Sequence, residues 1–139
     1  MTYWTSSMAD AFQVEFPLNA GFQSKLKSLH MRFQASAKES LRLKAVLSLC
    51  LHALQDVTPE LIALHSSIMD ADDKREDARI YRKTSNLLES DRVLLDKIRI
   101  HLLTNFDCGV TRKDIVNTII LVAHDLKDAQ ISYILSEYH

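Results

Sequence analysis

Between Ala11 and Leu54 the spacing of hydrophobic and polar residues changes period twice. Phe12, Val14 and Phe16 alternate with Gln13 and Glu15, the period of two that marks a half-buried strand. Pro17 ends that strand, because it offers no ladder donor and fixes its own φ. Asn19 is a good N-cap, and after it Phe22, Leu26, Leu29 and Phe33 recur at spacings of four, three and four, one face of a helix. A small-and-polar break at residues 34–37 leads into a second helix from about Lys38 to Leu54. That helix is apolar on most sides through Leu41, Leu43, Val46, Leu47, Leu49, Cys50, Leu51 and Leu54.

The rest of the chain repeats this order less cleanly. Thr58 and Pro59 suit the cap and first position of a short amphipathic helix that carries Leu61, Ile62, Leu64, His65, Ile68 and Met69. Residues 70–77, DADDKRED, form a charged linker. Residues 78–84, ARIYRKT, read as a second short strand, and Asn86 with Glu89 as a capping box. A long helix then shows Leu88, Leu95, Ile98, Leu102 and Phe106 on one face and stops at Gly109, a natural C-cap residue. Thr111 and Asp114 cap a heavily apolar helix through Ile115, Val116, Ile119, Ile120, Leu121, Val122 and Leu126. Laid side by side, Leu43–Leu54 and Ile115–Leu126 place His52 opposite His124. The expected organisation is an N-terminal arm (1–10), a first unit with an extra helix (11–69), the linker, and a second unit with a closing C-terminal helix (78–139).

A lone strand is an unpaired edge, and a nearly all-apolar helix cannot cover itself. The run FQVEFP with its two helices resembles the ribbon-helix-helix family, the Arc/MetJ type of DNA-binding protein. GVTRKDIVNTIIL resembles that family's turn and second helix. The resemblance implies a mainly α fold with a short two-stranded antiparallel ribbon, residues 11–17 against 78–84. Both units in one chain would make a tandem pseudo-dimer, similar to accessory proteins of plasmid conjugation and T-DNA transfer; an all-α helical bundle is the alternative. The implied partner is double-stranded DNA, with the ribbon in the major groove, beside other proteins of a DNA-processing complex. Ala11, Gln13 and Glu15 would face the groove from the first strand, and Arg79, Tyr81 and Lys83 from the second. Gln pairs with adenine, Glu accepts from cytosine, and Arg or Lys reads guanine. The second helices would hold phosphate on their first N–H groups, beside Ser36, Lys38 and Ser40 in one unit and Thr111, Arg112 and Lys113 in the other.

Composition tempers this picture. A formal net charge of −1 gives no basic field to advertise nucleic acid. That, with Glu15 on the ribbon, favours a rival of another class: a non-enzymatic all-helical interaction module (adaptor, chaperone or inhibitor) without DNA affinity. Two glycines and two prolines in 139 residues imply long helices and short connections. No apolar run reaches the roughly 18 residues needed to span a membrane, and MTYWTSSMAD lacks the pattern of a signal peptide. Cys50 and Cys108 therefore read as reduced thiols of a cytoplasmic protein. The linker resembles a calcium loop but lacks the turn glycine and the terminal Glu. The six histidines show no metal-ligand spacing, and no phosphate loop or nucleophile elbow is present. Neither an enzyme nor a cofactor is expected, and association of two chains is left open.

Overall fold

The computed structural model describes residues 12–16, 20–65 and 83–139. Among these the chain forms two strands, β1 (Phe12–Phe16) and β2 (Lys83–Leu87), and six helices. The helices are α1 (Ala20–Ala37), α2 (Leu43–Ala53), α3 (residues 59–65), α4 (Glu89–Phe106), α5 (Arg112–His124) and α6 (Asp128–Tyr138).

The helices make the body of the molecule. The α1 face of Phe22, Leu26, Leu29 and Phe33 is buried, as is α4 along Asp91, Leu95, Ile98 and Leu102. α5 is buried on nearly all sides, every residue from Ile115 to Leu121 lying inside. It packs against α1, α2, α4 and β1, while α6 closes over α1 and α2. One continuous apolar core runs from Val14 to Ile134. Arg32 pins its edge, donating from α1 to the carbonyls of His124 (3.0 Å) and Leu126 (2.6 Å) and to the Asp128 carboxylate (2.9 Å). Cys50 lies inside this core, where burial pushes its thiol up to about 12 and keeps it protonated.

β1 and β2 pair antiparallel, with Phe12 opposite Leu87, Val14 opposite Ser85 and Phe16 opposite Lys83. Their coverage is crosswise: α5, from the second half, packs on β1, and α2, from the first half, packs on β2. The Phe16 ring meets Phe22 at 6.1 Å between centroids.

The expected fold class is corrected by this architecture. In place of a tandem ribbon-helix-helix pseudo-dimer, the molecule is a predominantly helical body whose six helices supply nearly all of one undivided core. Of the span expected to form the second strand, 78–84, residues 78–82 lie outside the described residues; the described strand β2 takes in residues 83 and 84 and continues to Leu87. Asn86, expected to cap α4, belongs to β2. The cap falls at Leu88, whose N–H donates to Asp91 Oδ2 at 3.2 Å. The break expected at residues 34–37 is helical. Gln, Ala and Ser there are compatible with a helix, and α1 ends only where Lys38 turns left-handed at φ 58°. Gln34 then accepts the Leu41 N–H at 3.0 Å, and α2 starts at Leu43.

The internal repeat is also shifted. Phe22, Leu26, Leu29 and Phe33 recur 69 residues on as Asp91, Leu95, Ile98 and Leu102, all buried. The same offset carries Val46, Leu47, Leu49, Cys50 and Leu51 onto Ile115, Val116, Thr118, Ile119 and Ile120, again all buried. The pairing of His52 with His124 is thus out of register by three residues.

Candidate nucleic-acid interface

Residues directly opposite one another in an antiparallel pair lie on the same face of the ribbon. Val14, Phe16 and Leu87 are buried. The register therefore places Gln13 and Glu15 on the other face, with their partners Asn86 and Thr84. Lys83 shares Phe16's line, so its expected place beside Gln13 and Glu15 is corrected. Arg79 and Tyr81 lie outside the described residues. The register thus brings together Gln13, Glu15, Thr84 and Asn86. Thr84 and Asn86 were missed because KTSNL lacks the apolar alternation that marks a strand. Leu87, the one apolar residue of β2, was the signal that could have set its parity.

The two phosphate-holding helix starts differ. At α2 the N-cap residue is Arg42, with no side-chain cap and no acidic residue in the first turn. Lys38 and Ser40 are exposed in the turn before it. At α5 the capping box forms: Thr111 Oγ1 accepts the Asp114 N–H at 3.1 Å, and Asp114 Oδ2 accepts the Thr111 N–H at 3.0 Å. A carboxylate already occupies the positive end of that helix. Lys113 is exposed beside it.

Arg112 is engaged. Its Nε and Nη2 donate to Asp96 Oδ1 and Oδ2 at 2.8 and 2.9 Å, a bidentate pair between α5 and α4. Asp96 also receives Arg92 Nη1 at 3.3 Å and Arg99 Nη1 at 3.5 Å. Arg99 Nε donates to the Val110 carbonyl, and Arg92 pairs with Glu89. Hydrogen bonds from Arg112 above all hold the Asp96 carboxyl below its usual range, against the opposing effect of burial. Arg92 does the same for Glu89. The spacing of Arg92, Asp96 and Arg99 on one helix was visible in the sequence; the reach of Asp96 across the turn to Arg112 was not.

A second polar cluster joins the halves inside. Asp91 has no exposed surface, yet Ser48 Oγ donates to its Oδ1 at 2.8 Å and Leu88 N–H to its Oδ2. His52 Nδ1 lies 3.6 Å from the same carboxylate and 2.9 Å from the Ser48 carbonyl. Among the described residues no cluster of three or more His, Cys, Asp or Glu is arranged to hold a metal ion, and no helix is long and apolar enough to cross a membrane. Comparison with protein-family models, curated proteins and solved structures finds no match for the chain.

Proposed function

We propose that this protein binds duplex DNA, as a cytoplasmic accessory or regulatory factor, through the outer face of the β1–β2 pair. The observation that carries this reading is the register, which gathers Gln13, Glu15, Thr84 and Asn86 on the face opposite buried Val14, Phe16 and Leu87. B-DNA's major groove admits a two-stranded ribbon, and side-chain amides pair bidentately with adenine there. Gln13 and Asn86 are direct cross-strand neighbours, so two amides would enter the groove together. Thr84 adds a hydroxyl usable with any base, and Glu15 favours cytosine N4. Arg79 and Arg82 precede β2 in the sequence and Lys83 is its first residue, and these basic residues would supply phosphate contacts.

Binding to random-sequence duplex over a salt series tests the proposal. Affinity is expected to fall linearly in log–log terms as salt rises, by about 0.9 per phosphate engaged. An Arg79→Ala/Arg82→Ala variant is expected to show a shallower slope. Absence of binding even at low salt would overturn the proposal in favour of the helical interaction module.

A further inference from the structure

We infer that Asp96 restrains the DNA affinity of this protein by holding Arg112 away from phosphate. The inference rests on the DNA-binding reading and adds to it an acidic brake built into the helical body. Arg112 is the first residue of α5, beside the Thr111–Asp114 cap, and Lys113 follows it exposed. The same fork of guanidinium donors that suits a phosphate suits a carboxylate. Here Asp96 takes that fork with both oxygens, at 2.8 and 2.9 Å. A phosphate must therefore displace Asp96 before it can take the same donors of Arg112.

The surroundings make that exchange feasible. Asp96 is the shared acceptor of three guanidinium groups, those of Arg92, Arg99 and Arg112. With Glu89 counted, the cluster holds three positive charges against two negative ones, so neutralising Asp96 leaves a locally basic surface. The Asp96 side chain is 26% exposed and that of Arg112 34%, so the pair sits at the surface within reach of a polyanion. A bidentate pair within a network is stronger than an isolated surface ion pair, so Asp96 competes with a phosphate for Arg112 and does not simply yield to it. The effect is a reduced affinity and a shallower salt dependence than the basic residues alone would give.

A double-mutant cycle tests the inference. Duplex binding would be measured over a salt series for the native protein, Asp96→Asn, Arg112→Ala and the double variant. Glu89→Gln serves as a control that removes one charge from the cluster without touching the Asp96–Arg112 pair. Melting followed by circular dichroism would verify that each protein is folded. Asp96→Asn is expected to bind several-fold more tightly, with the log–log slope steeper by about 0.9, one added phosphate contact. Arg112→Ala should change little in the native background and abolish the gain in the Asp96→Asn background. Equal binding by all four proteins would overturn the inference and leave the DNA-binding reading standing. So would an equal gain from Glu89→Gln, which would make the effect one of net charge. No binding by any of the proteins would overturn both.

Discussion

Asn117 is completely buried on α5, and neither the oxygen nor the nitrogen of its amide finds a hydrogen-bond partner. The 69-residue repeat gives the physical reason. Asn117 occupies the place that Ser48 holds on α2, and Ser48 is satisfied by Asp91; the counterpart of Asp91 is Phe22, which has no side-chain acceptor to offer. One half completes a polar pair and the other half leaves it incomplete. A buried unsatisfied polar group costs about 1–3 kcal/mol. Asn117→Leu, which keeps the number of side-chain heavy atoms and removes the amide, is therefore expected to raise stability by up to that amount. Ser48→Ala, which strips a donor from a buried carboxylate, should lower it by a similar amount. Urea denaturation of the two variants measures both, and a destabilised Asn117→Leu would contradict this account.

At the scale of elements, the Asp96 network ties α4 to the start of α5, and its acid response follows from the direction of its shifts. The Asp96 and Glu89 carboxyls are held below their ordinary values, mainly by Arg112 and Arg92 respectively. The stability they contribute is present above the unfolded carboxylate range of about 4 and is lost as pH falls through the lower folded values. Asp96→Asn is expected to be less stable than the native protein at pH 7 and to converge with it below about pH 4. Thermal melts across that range check this, and a gap that persisted into acid would rule the network out as its source.

The elements also show how much of the fold was legible beforehand. β1, the α1 face and the Thr111–Asp114 cap could be read because each rests on local pattern: alternation, a 4-3-4 spacing, a capping box. β2 could not, because Lys-Thr-Ser-Asn has little intrinsic strand preference and is extended by pairing with β1. The length of α1 was hidden for a related reason. Gln34 and Ser36 look like a break, but they gain tertiary partners in Leu41 and Ser132. For Gln13 and Glu15, the alternation alone gave their register parity with respect to Val14 and Phe16. Thr84, Asn86 and the engagement of Arg112 by Asp96 depend on contacts between distant segments, which no local pattern records.

For the whole molecule, each strand is packed by a helix from the other half: α5 lies on β1, α2 lies on β2, and one core serves both. Heat or denaturant should therefore unfold the chain in a single transition, with calorimetric and van't Hoff enthalpies in agreement. Two resolved transitions would show that the halves are separable. The same arrangement constrains biosynthesis. On a ribosome the strand Phe12–Phe16 emerges more than a hundred residues before the end of the helix that covers it. At about 5–20 residues per second that leaves its apolar face without α5 for roughly 5–20 s. The nascent first half is thus the stretch most in need of chaperone protection. Circular permutation with the new ends placed within residues 70–77, which lie outside the described residues, would reverse which strand waits.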